Sequence, residues 1–311
     1  MIRQTASRTR IAAGNAMLKQ IAISVALAGA TPAAAGEDCT QITQGLPVEG
    51  PVWSPDGSAI AFHSGLDIYT LPADGGPPTR VATDGKWPTW SPDGTQLAYA
   101  RIVGNTPFDI WVMDLQGGGL QQITTWPGFD TYPDWSHDGD KIVYESIRND
   151  HIALYVYSFS AGTHTRLTTI EPGAEVRLPD WSSSDDRIVF ERSLFLEGPD
   201  IFVVEYPSGM QQQLFGPISG FRYPRWHPSG TSLIMIGRHE VGDHPCVVSY
   251  QLPSGPRQDL LCRLTGLGYP EWSPDGSRFS VVDGGNLTVC TIATTPVSEE
   301  TWGRVKRRFG R

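Results

Sequence analysis

Glu145 and Glu191 each stand ten residues beyond a tryptophan, Trp135 and Trp181. Carboxylates repeated at a fixed offset could hold a cation or divide the work of general acid and general base. The nearby Arg148 and Arg192 offer a plainer use, as ion-pair partners. Histidines 63, 151, 239 and 244 are expected in loops, and three of them meeting at one point would make a metal centre for a lyase or hydrolase. His239, Asp243 and His244 are the one local cluster. No G-x-S-x-G elbow and no H-E-x-x-H motif is present. The spacing therefore favours binding over catalysis. No cofactor is expected, apart from a cation that channel carboxylates would hold.

The elements that must position these groups are written as a repeat. P-x-W occurs at Pro51 to Trp53, Pro88 to Trp90, Pro133 to Trp135, Pro179 to Trp181, Pro224 to Trp226 and Pro270 to Trp272, with successive tryptophans 37, 45, 46, 45 and 46 residues apart. After each comes S-P-D-G or a worn copy, a turn signal, followed by an alternating apolar strand as in "PTWSPDGTQLAYA". A third strand such as "FDIWVMD", a Gly-rich turn and a fourth strand such as "LQQIT" complete a unit of about 45 residues, the pattern of a propeller blade. The expected fold is all-β, a six-bladed β-propeller spanning residues 51–295. Each repeat tryptophan is expected between blades, its indole N–H reaching a backbone carbonyl.

The last unit lacks a fourth strand, and "CTQITQG" at 39–45, within the N-terminal segment 36–50, resembles one. The ring should close by this strand completing the last blade, which removes its open edges. That registration places Cys39 against Cys290. Cys246 and Cys262 lie symmetrically about the Leu252 to Gly255 turn as a cross-strand pair. Two disulfides follow, with buried free thiols as the alternative.

Residues 1–35 read as a signal peptide. Arg3, Arg8, Arg10 and Lys19 make a basic region, Ile21 to Ala30 an apolar one, and Ala33-Ala34-Ala35 an A-x-A cleavage site. Ten apolar residues fall short of the roughly 20 needed to span a bilayer, so stable membrane insertion is not expected. Without this leader the chain keeps 20 Lys and Arg against 33 Asp and Glu, a formal charge of -13. Nucleic acid is therefore a poor partner. The tail 296–311 is basic, and a periplasmic or secreted monomer is expected.

The units "PTWSPDGTQLAYA...DIWVMDLQGGGLQQIT" and "PDWSHDGDKIVYESIRNDHIALYVYS", with Arg148-Asn149-Asp150 after the second strand, resemble the repeats of the TolB-type six-bladed propellers, the WD40-like PD40 repeat family. The resemblance covers about residues 39–293 and implies the fold. The family's periplasmic namesake carries a separate α/β domain ahead of its propeller. Here about 15 residues separate the expected cleavage site from the first P-x-W, so that domain is expected to be lacking.

In such a fold the S-P-D-G turns share one face and the variable loops the other, and binding residues concentrate on variable loops. Lys86, Arg101, Trp126, Phe129, Asp130, Arg148, Glu175, Arg177, Arg192, Phe195, Phe221, Arg222 and His239 are expected there as a partner-binding surface, because aromatics interleaved with arginine suit protein recognition. Of these, Lys86, Asp130, Glu175, Arg177 and Arg222 enter the innermost strands that line the channel. The reading is a protein-protein interaction module in the periplasm or cell envelope, linked to a Tol-Pal-like or transport system. A lyase or hydrolase acting on a small molecule or polysaccharide at the channel mouth is the alternative, and a sugar or peptide receptor a third.

Overall fold

The computed structural model describes residues 38–292 apart from 118, 149–150, 170–172, 195–197, 217–219, 239–243 and 264–265. The expected signal peptide, the basic tail, Phe195 and His239 lie outside the described residues. Those described all fall in one compact unit. No helix among them is long and apolar enough to cross a membrane.

Six antiparallel sheets of four strands make the ring. Blades one to five take their strands in chain order, so that the innermost are Glu49–Trp53, Gly85–Trp90, Asp130–Trp135, Ala174–Trp181 and Arg222–Trp226. Blade six runs from Leu267–Trp272 inside through Arg278–Asp283 and Asn286–Thr291 to Asp38–Gln41 outside. The N-terminal strand thus closes the ring as expected. Cys39 pairs in register with Cys290 and is disulfide-bonded to it, and Cys246 is bonded to Cys262 across blade five.

The S-P-D-G turn explains its own repetition. In blade one Ser54 Oγ donates to Asp56 Oδ1 at 2.6 Å and accepts from Ala59 N at 2.9 Å, while Ser58 N donates to the same carboxylate at 3.0 Å. Gly57 takes φ 70°, which a side chain would resist. Blades two, three and six repeat the Ser-to-Asp bond. In the eroded fourth copy Asp185 occupies the glycine position at φ 55°, and its carboxylate accepts from the N–H groups of His137 and Asp138 in blade three. The lost glycine has become an inter-blade tie.

Between blades the repeat tryptophans fill the core. Trp181 is 1% exposed and packs in one cluster with Val143, Leu154 and Val156 of blade three and Ile188 and Phe190 of its own blade. Burying such a ring contributes about 5 kcal/mol, at roughly 25 cal/mol per Å² over about 200 Å². The expected indole bond to a carbonyl forms for Trp90 and Trp135, while Trp53 donates to Ser280 Oγ. The indole nitrogens of Trp181, Trp226 and Trp272 are buried without a partner. For those three packing alone fixes the ring.

Candidate binding surface

The channel is built from three positions counted back from each repeat tryptophan. Three residues before it the backbone enters the left-handed region in every blade: Gly50, Trp87, Tyr132, Leu178, Tyr223 and Tyr269 have φ between 50° and 56°. The strand pairing shifts register at the same place in all six. Such a bulge re-aims a side chain. Here the aromatic ones gather around the axis. The Trp87 and Tyr132 rings lie 4.2 Å apart, and those of Tyr223 and Tyr269 4.6 Å apart. This layer leaves a void of about 20 Å³.

The residue immediately before each tryptophan, the x of P-x-W, lines the axis toward the turn face. These are Val52, Thr89, Asp134, Asp180, Arg225 and Glu271. Asp134 accepts the backbone N–H of Trp181 at 2.8 Å, and Asp180 that of Trp226 at 2.6 Å, so each carboxylate staples its blade to the next. Arg225 pairs with Glu271 at 2.8 Å and lies 3.6 Å from Asp180. Burial pushes all three carboxyls up and Arg225 opposes it. Beyond them a funnel of about 400 Å³ opens between the turns, walled by repeat tryptophans and by Pro55, Pro92, Pro228 and Pro274. The variation at x was readable in the repeat, but the P-x-W landmark drew attention to the residues around it.

At the loop-face end the residues four before each tryptophan are Glu49, Lys86, Thr131, Arg177, Arg222 and Gly268. They pair across the bulged strand with His63, Ala100, Glu145, Glu191, Ile236 and Val282, in that order. Glu145 and Glu191 therefore do share a position, and both are buried. Glu145 accepts from Thr131 Oγ1 at 3.3 Å, and burial pushes its carboxyl up to about 8 against the pull of Arg177. Glu191 accepts the backbone N–H of Tyr223 in the next blade and is also raised by burial. His63 is not in a loop. It lies on a strand, fully buried 3.8 Å from Glu49, and burial holds it down to about 4. His151 also begins a strand.

The expected surface residues divide. Asp130 is 0% exposed and lies inside, where Ser146 Oγ donates to its Oδ1 at 2.5 Å; it is not at the channel. Phe221 is buried too, against Phe215 at 4.9 Å. Both are corrections with one cause: the fifth position before the tryptophan faces the inter-blade core. Arg192 pairs with Asp200 at 3.2 Å and covers Phe202. Arg177 pairs with Glu175 at 2.5 Å in solvent, and Arg222 is exposed. Lys86 sits 5.5 Å from the Trp87 ring, and Arg101 5.1 Å from that of Trp111. Trp126 and Phe129, in the crossing from blade two to blade three, are 50% and 48% exposed, with the Arg148 guanidinium 4.5 Å from the Trp126 ring. Leu66 and Val103, which the sequence reading missed, are 43% and 44% exposed in the neighbouring loops of blades one and two. They belong to loops with no periodicity to mark them.

Comparison with known proteins agrees with this architecture. Residues 86–235 match the family model described as the TolB beta propeller domain. The Agrobacterium fabrum protein Atu1656 is 29% identical over 194 residues, 57% of this chain, and the chain spans 65% of that relative. A putative TolB from Agrobacterium tumefaciens superposes with a TM-score of 0.65 at 23% identity, covering 84% of this chain and 98% of that one. TolB from Acinetobacter baumannii gives 0.58 at 19% identity, over 85% of this chain and 66% of its own. An oligogalacturonate lyase in complex with manganese gives 0.59 at 15%, over 85% and 81%. With the repeats of the TolB beta propeller domain matched from blade two into blade five, and the flanking blades completing the same ring, the chain is a six-bladed β-propeller whose repeats are similar to those of that domain.

Proposed function

We propose that this protein is an exported binding propeller whose loop face, over blades one to three, docks a protein partner in the periplasm or cell envelope. The observation that carries the reading is the clustering of exposed apolar side chains. Leu66, Val103, Trp126 and Phe129 all lie on the loop face of the first blades, interleaved with Arg101 and Arg148. Apolar area flanked by arginine is the composition of interface hot spots. The two disulfides suit an oxidising compartment. A Tol-Pal-like or transport assembly is the setting that the TolB likeness suggests.

The test is a cross-linking pull-down from envelope extracts with three proteins: the intact chain, a Trp126→Ala/Phe129→Ala variant, and Leu120→Ala/Met210→Ala, which alters exposed apolar residues of the turn face. A partner held by the first and third and lost by the second supports the reading. Equal capture by all three overturns it.

A second reading draws on Glu145, a carboxyl held protonated near neutrality behind Arg177, in register with Glu191. Such a pair would serve a lyase or hydrolase at the mouth, and one propeller of the same fold is an oligogalacturonate lyase. Turnover of oligogalacturonate by the purified protein, abolished in Glu145→Gln, would replace docking with catalysis.

A further inference from the structure

Six repeats allow each residue to be judged against five internal equivalents. Five residues before the repeat tryptophan stand Val48, Gly85, Val176, Phe221 and Leu267, and in blade three Asp130. This one acid is fully buried, and its Oδ2 has no hydrogen-bond partner. Burying an unsatisfied carboxylate costs free energy that the other blades avoid. Its Oδ1 accepts from Ser146 Oγ at 2.5 Å, and Ser146 Oγ accepts in turn from Arg148 Nε at 2.9 Å. Arg148 Nη2 also donates to Tyr144 Oη at 3.0 Å. The guanidinium carbon lies 3.8 Å from the Tyr155 ring and 4.5 Å from the half-exposed Trp126 ring. Asp130 is thus the root of a relay that fixes one arginine between two aromatic rings.

The held guanidinium lacks what four other arginines of this chain possess. Arg177 has Glu175, Arg192 has Asp200, Arg225 has Glu271 and Arg257 has Asp259 within ion-pair distance. Arg148 has no carboxylate within that distance among the described residues, only hydroxyls. Its Nε and one N–H of Nη2 are committed, which leaves the end-on pair, Nη1 and the second N–H of Nη2, free for a carboxylate to take both at once. Stacking on two rings lowers the entropy lost when the arginine engages.

We propose that Arg148 is the carboxylate-reading residue of the docking face, taking an acidic side chain of the partner whose apolar neighbour packs on Trp126 and Phe129. The inference rests on the docking reading above and adds the partner's chemistry. Asp130 and Ser146 are positioning residues. The formal charge of the chain without its expected leader is -13, so an acidic segment is repelled elsewhere and admitted where a guanidinium has no carboxylate within ion-pair distance among the described residues.

The test titrates the purified protein, by the side-chain Nε–Hε resonances of its arginines, with the peptide acetyl-Gly-Phe-Glu-Gly-amide and with its Gln counterpart. The Glu peptide is expected to bind about tenfold more tightly and to shift one arginine resonance, absent from Arg148→Gln. Arg148→Lys should keep less than half of that discrimination on a logarithmic scale, because it replaces a fork with a point charge. Asp130→Val installs the residue type that blades one and four use there, so the fold should tolerate it while discrimination falls several-fold. If Arg148→Gln does not fold, Trp126→Ala decides, with an expected loss of at least about fivefold for both peptides. Equal binding of the two peptides, or discrimination that survives Arg148→Gln, overturns the proposal. Binding of galacturonic acid with no peptide binding overturns it in favour of a sugar site. Partner capture without peptide discrimination sinks this inference and leaves docking intact; discrimination without capture does the reverse.

Discussion

Glu145 is nearly sealed from water, and that gives the molecule a stability signature. Its carboxyl is raised to about 8 in the folded chain by burial, whereas an unfolded glutamate titrates near 4.3. Between those values the folded state holds a proton that the unfolded state has released, so stability falls as pH rises. The contribution is complete below about pH 4 and gone above about pH 8. Thermal melts of the wild type should show Tm declining from pH 5 to 8, and Glu145→Gln should flatten that slope and melt higher at pH 8. An unchanged slope would mean that Glu145 is ionised in the fold. The turn aspartates act in the opposite sense. Asp275 is held down to about 2 by Ser273 first and then Ser277, so the stability it adds is present above about pH 4 and lost as pH falls through 2. Asp275→Asn should weaken the acid-side loss of stability and leave the alkaline side alone. The shared offset of Glu145 and Glu191 was legible in the sequence. Their burial was not, because the register shift that turns the fourth residue before the tryptophan toward the mouth has no compositional mark.

The inner strand carries the strangest backbone in the fold, and it does so six times. Only blade one writes glycine at the left-handed position; the others force Trp87, Tyr132, Leu178, Tyr223 and Tyr269 into it. Left-handed backbone costs a non-glycine residue roughly 1 to 2 kcal/mol, so the aromatic plug and the closed bulge must offset that in each blade. A β-branched residue fits this region worst. Leu178→Val should therefore destabilise by about 2 to 3 kcal/mol, one part cavity and one part backbone, whereas Leu97→Val on an ordinary buried strand should cost about 1 kcal/mol. Urea unfolding of the two variants measures the difference, and equal costs would show that the bulge is held without strain. The element count and the order of strands were legible, since period-2 alternation and turn chemistry repeat without interruption. The bulge was not, since residues as different as tryptophan and leucine occupy it and no propensity points to φ near 50°. The same blindness hid the x of P-x-W, where Val52, Thr89, Asp134, Asp180, Arg225 and Glu271 look like noise until the ring brings them together.

Closure of the ring is a property of the whole chain. Blade six has only three strands of its own, and the fourth arrives from Asp38–Gln41, residue-for-residue opposite Asn286–Thr291 over Thr288 to Thr291. A strand of four residues is too short to hold a seam against the entropy of a free end, since each ordered residue costs about 1 to 2 kcal/mol. The Cys39–Cys290 bond removes that freedom from the unfolded state by closing a loop of 251 residues, for which the chain-entropy relation gives about 5.5 kcal/mol. The Cys246–Cys262 bond spans 16 residues inside one blade and should contribute about 3 kcal/mol by the same relation. The two differ further in what they protect. Loss of the first should free the N-terminal strand and expose the edge of Asn286–Thr291, so that Cys39→Ser/Cys290→Ser lowers the guanidinium midpoint and opens cleavage near residue 45 under limited proteolysis before the rest of the ring yields. Loss of the second should lower the midpoint less and leave the N-terminus protected, because its two strands lie within one blade and remain paired without the bond. If both variants lost equal stability and neither gained a cleavage site at the seam, strand pairing alone would be closing the propeller. The sequence-based placement of Cys39 against Cys290 would then describe where the chain ends meet without describing what keeps them together.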